Sequence, residues 1–228
     1  MSATARSLSE VRGLVFDLDG TLIDSKLDLA LSVNAALAEL HRKPLPHDQI
    51  YGYVGQGALR LVEQALGEGA DPKEAEHGHA FFLTHYREHM LDHTVAYPGV
   101  REGLAALESR PLAVLTNKPT RFSQEILEGL GLAKYFRVIH GGNSFEKKKP
   151  DPMGMLAIAS EFGISPEHTM LVGDSDIDVQ TARNAGSWVC GLTYGFGSAG
   201  FVKFPPDLLL DSLIELPAYL EGRALQSR

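Results

Sequence analysis

The chain has 228 residues, 44% of them hydrophobic and 22% charged, which excludes disordered, fibrous and collagen-like classes and leaves room for a sizeable folded core. Its 21 Lys and Arg stand against 29 Asp and Glu, a formal net charge of -8 that speaks against a general grip on nucleic acid or on an anionic membrane, so an anionic substrate must be met locally. The single cysteine, Cys190, excludes an internal disulfide and a dithiol or zinc-ribbon motif, and nothing approaches the ~18 apolar residues of a membrane span or a signal-peptide core, so a cytoplasmic protein is expected.

In chain order, the first apolar run, Leu14 to Phe16, is too short for a helix and lacks polar alternation, as expected of a parallel strand buried on both faces. From about Ser25 to about Tyr97 the pattern changes. Helical periodicity runs through Leu27 to Leu40, Leu59 to Leu66 and Glu74 to Leu91 with no strand between them, which predicts an all-helical insert. The turn Tyr97-Pro98-Gly99 marks its exit, and a helix over Val100 to Glu108 leads back to the core. The runs Leu112 to Leu115, Val138 to Ile139, Met170 to Val172, Trp188 to Leu192 and Leu208 to Leu210 repeat the buried-strand pattern. Between them lie amphipathic segments, Phe122 to Leu130, Pro152 to Phe162 and Asp176 to Ala185, each followed by glycine, the usual helix stop. Alternating strand and helix predicts a Rossmann-like α/β core with a parallel sheet, residues 1–24 and 97–228, and a helical cap, residues 25–96. The tails Met1 to Ser9 and Arg223 to Arg228 read as loosely held ends.

In open parallel sheets the ligand site lies beyond the carboxyl ends of the strands. Those ends carry Asp17-Leu18-Asp19-Gly20-Thr21, Thr116-Asn117-Lys118 and Gly173-Asp174-Ser175-Asp176-Ile177-Asp178, and Lys147-Lys148-Lys149-Pro150 precedes a helix. Converging carboxylates of Asp17, Asp19, Asp174 and Asp178 would repel, and a hard divalent cation, Mg²⁺, relieves the repulsion while bridging to phosphate oxygens. On this reading Asp17 is the nucleophile, forming an aspartyl-phosphate, and Asp19 protonates the leaving group and then activates water. Thr116 and Asn117 hydrogen-bond the phosphoryl oxygens, and Lys149 neutralises their charge. For Asp178, at the start of a helix, capping is as good a reading as metal binding. Lys118 reads equally as a group near phosphate or a surface residue before Pro119.

The string Asp17-x-Asp19-Gly20-Thr21-Leu22-x-Asp24-Ser25, followed by Thr116-Asn117, Lys149-Pro150-x-Pro152 and Gly173-Asp174-Ser175-x-x-Asp178, resembles the four ordered motifs of the haloacid dehalogenase superfamily over roughly residues 11 to 215. The resemblance implies phosphatase chemistry rather than carbon–halogen cleavage, because the second aspartate, here Asp19, accompanies the phosphatases and phosphomutases. It also implies a helical cap that closes over the site. Tyr53-Val54-Gly55-Gln56-Gly57, the helix with Leu61-Val62 and Ala65-Leu66, and Tyr97-Pro98-Gly99-Val100 are similar to those of bacterial phosphoglycolate phosphatases. That likeness implies 2-phosphoglycolate as substrate, with Gly55, Gly57 and Arg60 at the start of a cap helix holding its carboxylate. Other small phosphoesters, including sugar phosphates handled by a phosphatase or mutase, stay open. The expected partner is a small phosphorylated metabolite, with no nucleic acid and no membrane, and the chain acts as monomer or homodimer.

Rival readings are weaker. Asp-x-Asp-Gly can open a calcium loop, but no register from Val15, Asp17 or Asp174 supplies both the required glycine and the closing glutamate. His85-Tyr86-Arg87-Glu88-His89 matches a zinc-peptidase pattern that His93 extends, yet the histidines read better as the wet face of a cap helix whose buried face carries Phe81, Phe82, Tyr86 and Met90. A phosphate-binding protein that retains the fold without catalysis would have no need of Asp17 and Asp19 together with Thr116, Lys149 and Asp174.

Overall fold

The structure is a computed structural model of the full chain, and residues 7–222 are described. Arg223 to Arg228 and the first six residues lie outside them; Leu8–Glu10 forms a short 3-10 turn, so that part of the expected loose tail is ordered. The core is one sheet of six strands: β1 (Gly13–Phe16), β4 (Leu112–Leu115), β5 (Val138–His140), β6 (Thr169–Gly173), β7 (Trp188–Leu192) and β8 (Leu208–Leu210). Their order is β5-β4-β1-β6-β7-β8, and every pairing is parallel. β1 is central, its Val15 lying in register with Ala113 on one side and Leu171 on the other.

Alternation along the strands sorts side chains to two faces. Leu14 and Phe16 join Val114, Met170 and Val172 in the larger core, whereas Val15 packs with Ala113, Leu171 and Val189 on the opposite face. Helices α5 (Val100–Leu107), α6 (Thr120–Gly129), α7 (Met153–Phe162), α8 (Asp176–Ala185) and α9 (Leu216–Leu220) accompany the sheet. Both faces are thereby covered, which is why the strands read as continuous apolar runs rather than alternating ones. Gly163 and Gly186 end α7 and α8 in the left-handed conformation. Cys190 is fully buried in β7, where loss of solvent pushes its thiol well above the ordinary range.

The chain leaves this sheet through β2 (Ile23–Asp24) and returns through β3 (Val95–Ala96), which pair antiparallel as a two-stranded ribbon. Between them run α1 (Lys26–Glu39), α2 (His47–Tyr51), α3 (Ala58–Leu66) and α4 (Pro72–His89) and no strand. The ribbon and α2 have no counterpart in the sequence reading, since two-residue strands and a five-residue helix are shorter than any periodicity can reveal. Asp71 caps α4 by accepting from the Lys73 N–H, and Pro72 takes the first helical position, so that helix starts two residues before the periodicity showed. Leu29, Val33, Leu37, Leu61, Val62, Phe82 and Tyr86 bury the helices against one another and against the core. Phe81, expected in that buried face, is only half-buried and stacks on His85. His85 is half-buried too, its Nδ1 3.0 Å from Ser32 Oγ, so the row of histidines is not wholly a wet face. No described helix is long and apolar enough to cross a membrane.

Candidate active site

Three strand ends meet above the middle of the sheet. The ladder runs on into the site: Asp17 N–H donates to the Val172 carbonyl at 2.9 Å and Thr116 N–H to the His140 carbonyl at 3.0 Å, so both residues are pinned by backbone before their side chains do anything. After Asp17 the chain turns sharply. The Leu18 carbonyl accepts from the amides of Thr21, Leu22 and Ile23, and Gly20 sits at φ 84°, a conformation that favours glycine. A Cβ at Gly20 would also collide with the Asp174 carboxylate. Gly20→Ala is therefore expected to lower stability by about 1–3 kcal/mol and to weaken divalent-cation binding; urea melts and a metal titration check both.

Ligand-type oxygens of Asp17, Asp174 and Asp178 lie within 4.8 Å of one another, all three side chains buried. Lys149 is buried among them, its Nζ 2.9 Å from Asp17 Oδ1 and 2.7 Å from Asp178 Oδ1. Asp178 Oδ2 accepts from the backbone and hydroxyl of Ser175, so this residue both caps α8 and faces the cluster. Asp174 Oδ1 accepts from the Thr21 hydroxyl, and its Oδ2 accepts from the Phe196 and Gly197 amides at 2.7 and 3.1 Å. Burial raises Asp17 from 3.8 to about 6, against the opposing pull of Lys149 and with a further push from Asp178. Burial raises Asp174 to about 8, its carboxylate neighbours adding to the shift. Lys149 is held firmly protonated: burial opposes its charge, but Asp17 and Asp178 outweigh it.

When all three are ionised, three carboxylates against one ammonium leave two negative charges, which one divalent cation cancels. Asp17 Oδ1 is buried with no aligned hydrogen bond, and the donors are all oxygens, the set that a hard cation takes. The residues therefore fit such an ion, with Asp17, Asp174 and Asp178 as its holders. The expectation that the Asp19 carboxylate joins them is corrected. Its Oδ1 accepts from the Ser25 hydroxyl, and Lys118 Nζ lies 3.0 and 3.1 Å from its two oxygens. With both oxygens occupied it faces the cleft between sheet and helices, not the cluster.

That cleft is lined from the core by Asp17, Asp19, Thr116 and Lys118 and from the helical insert by Leu29, Gly55, Gly57, Leu61, Phe82 and Tyr86. Thr116 Oγ1 accepts the Lys118 N–H at 3.2 Å and keeps its own proton for a ligand. Asn117 does not serve phosphate through its side chain, contrary to expectation. Its amide donates to the Gly55 and Lys149 carbonyls and accepts the Lys149 N–H, which uses up both donors and ties the 54–58 loop to the Lys149 segment. Arg60 is likewise displaced from its expected role: it is exposed, pairs with Glu63 at 2.8 Å and lines a separate groove with Tyr53 and His79. Arg60 stands two positions after Ala58, about 200° around α3, so it points away from the face on which Ala58 meets the cleft.

Lys118 resolves to the inward alternative, nearly fully buried. The sequence pattern includes Thr21 and Ser25 in its first motif without giving either a role, and it does not point to the loop after β7. The strand-end rule applies to β7 as well, and Tyr194-Gly195-Phe196-Gly197 supplies the amides on Asp174 and a Tyr194 hydroxyl that donates to the Thr21 carbonyl at 2.8 Å. Tyr86 was read as core alone.

An open parallel α/β sheet with a buried cluster of carboxylates and a buried ammonium at its carboxyl edge, facing a helical insert, is the arrangement of a hydrolase whose ligand site lies at the strand ends. The chain belongs to the haloacid dehalogenase-like hydrolases, whose family pattern matches residues 14–192. It is 39% identical over 216 residues to a phosphoglycolate phosphatase of Chromobacterium violaceum, covering 92% of this chain and 96% of that protein. A phosphoglycolate phosphatase of Pseudomonas putida is 41% identical over 211 residues, covering 89% of this chain and 77% of that one. Among solved structures, a predicted phosphoglycolate phosphatase from Haemophilus somnus superposes with a TM-score of 0.84 at 33% identity, covering 91% of this chain and 96% of that one. A haloacid dehalogenase-like hydrolase from Streptococcus pneumoniae reaches the same TM-score at 23% identity, a likeness of fold.

Proposed function

We propose that the protein is a Mg²⁺-dependent phosphomonoesterase that converts 2-phosphoglycolate to glycolate and inorganic phosphate. The observation that carries this is the pairing of two carboxylates in different company: Asp17 beside Lys149 in the acidic cluster, and Asp19 two residues on, held by Lys118 and Ser25 over the cleft. Asp17 attacks phosphorus, the bond from phosphorus to the ester oxygen breaks, and Asp19 in its acid form gives that oxygen its proton. Asp19, now a carboxylate, takes a proton from water as the water attacks the aspartyl-phosphate, and the Asp17 carboxylate returns as inorganic phosphate leaves. Lys149 and the Thr116 hydroxyl hold the charge on the phosphoryl oxygens, and Asn117 holds Lys149 in place. Asp17, Asp174 and Asp178 would hold the divalent cation, which would supply positive charge to the site and relieve the repulsion among these three carboxylates. The substrate itself is supported by the relatives' activity over nearly the whole chain length. The one buried free cysteine suits a reducing compartment such as the cytoplasm.

A phosphate-release assay on 2-phosphoglycolate, sugar phosphates and a halogenated carboxylic acid, each with and without Mg²⁺, tests the reading. The expected result is Mg²⁺-dependent phosphate release with 2-phosphoglycolate foremost and no halide release; release of halide, or no turnover of any ester, would overturn it.

A further inference from the structure

Among the described residues lining the cleft, Lys118 is the sole cation. The remaining walls are mostly Leu29, Val54, Leu61, Phe82 and Phe122, which offer an anion nothing. Tyr86 comes from α4 on the opposite side, and Lys118 Nζ lies 4.5 Å from its ring centroid. Phe82 stacks on that ring at 5.5 Å and Phe122 meets it edge-on at 5.7 Å, so the ring cannot swing. Its hydroxyl is nonetheless buried, and its polar neighbour, the Lys118 ammonium, can only donate, so the hydroxyl's own proton has no acceptor, an arrangement that costs free energy unless a ligand completes it. Burial pushes this hydroxyl up to about 12, so it stays a neutral donor.

The chemistry of the proposed substrate fixes where its second charge must go. In 2-phosphoglycolate one methylene separates the ester oxygen from the carboxylate. The ester oxygen has to reach Asp19, so the carboxylate must lie within a few ångströms of Asp19 as well. Once Asp19 has given up its proton, two carboxylates lie that close and repel unless a cation sits between them. Lys118 is already 3.0 Å from Asp19, and an ammonium has three donors.

We infer that Lys118 from the core and Tyr86 from the helical insert together receive the substrate's carboxylate, making this pair the determinant that selects a phosphoester carrying an adjacent acid group. The inference rests on the phosphatase reading above and replaces Arg60, which faces elsewhere. It also explains how a lid selects substrate. Tyr86 reaches the carboxylate only when α4 lies over the strand ends, so an ester without that group loses a contact that spans both halves of the cleft.

The test compares two esters of similar size, 2-phosphoglycolate and 2-hydroxyethyl phosphate, in which a hydroxymethyl group replaces the carboxylate. The readout is the ratio of their kcat/KM values. Tyr86→Phe removes only the hydroxyl and is expected to reduce the wild-type preference about tenfold or more, mainly through KM for 2-phosphoglycolate. Lys118→Met should reduce it further, with Lys118→Arg restoring part of the preference. Equal losses on both esters, or an undiminished preference in the Tyr86 and Lys118 variants, overturn the inference while leaving phosphatase activity intact as a reading. A wild-type enzyme that turns over both esters equally removes the substrate reading and this inference with it.

Discussion

Asp17→Asn is expected to lower kcat by at least about 10³-fold while leaving the fold in place. The amide keeps the size of the carboxylate but has no lone pair able to attack phosphorus at a useful rate. What remains, Asp19, Thr116 and Lys149, can bind the ester and polarise it, as transition-state donors do when a nucleophile is lost. Stability should not suffer. In the native protein the Asp17 charge is buried and its pKa is raised to about 6, so neutralising it removes a desolvated charge, and Lys149 keeps Asp178 at 2.7 Å. Single-turnover phosphate release and a thermal melt on the same preparation separate the two effects. Residual activity above a percent of wild type takes the nucleophile's role away from Asp17, and a collapse of the melt shows the loss of activity to be unfolding.

The parts of this site that could be read in advance are those that a strand end carries in a contiguous string. Asp17, Asp19, Thr116 and Asp174 follow apolar runs whose length and lack of alternation declare them buried strands, and the sheet brings β4, β1 and β6 side by side. What could not be read is how each side chain spends its hydrogen bonds. Asn117 follows Thr116 in the string, yet the approach of Gly55 and the backbone of Lys149 consumes its amide, and neither is near in sequence. Asp19 leaves the metal set because Lys118, ninety-nine positions on, claims it. Tyr86 shows the same limit from the other side. Helical periodicity places it on an apolar face, correctly, but cannot say that its hydroxyl ends over a lysine from another part of the chain. The ribbon of β2 and β3 lies below the length at which a pattern exists.

Lys149→Met is expected to be the most damaging single change to stability, costing about 3–5 kcal/mol in the metal-free protein at neutral pH, with kcat lower by at least about 10²-fold. Methionine fills the space of the stem but leaves Asp17, Asp174 and Asp178 with no counter-charge, all buried. The pH dependence gives the sign. In the native protein Asp17 and Asp174 are raised from 3.8 to about 6 and about 8, so each favours the folded state fully below its unfolded value and loses that contribution as pH rises through its folded value. Metal-free wild type should therefore lose stability through these groups between about pH 4 and pH 8. Without Lys149 the group that lowers Asp17 is gone, its folded pKa rises further, and the loss over that window deepens. Adding Mg²⁺ should reverse most of it in both proteins, because a bound dication favours the deprotonated ligands and binds only the folded cluster. Urea melts at pH 5 and pH 7.5, with and without Mg²⁺, measure every part of this. The variant should approach wild type at the acid end and with metal, and fall well below it at neutral pH without metal. A constant deficit across all four conditions would mean that Lys149 acts through packing alone, and that the three carboxylates do not share charge in the way their separation within 4.8 Å requires.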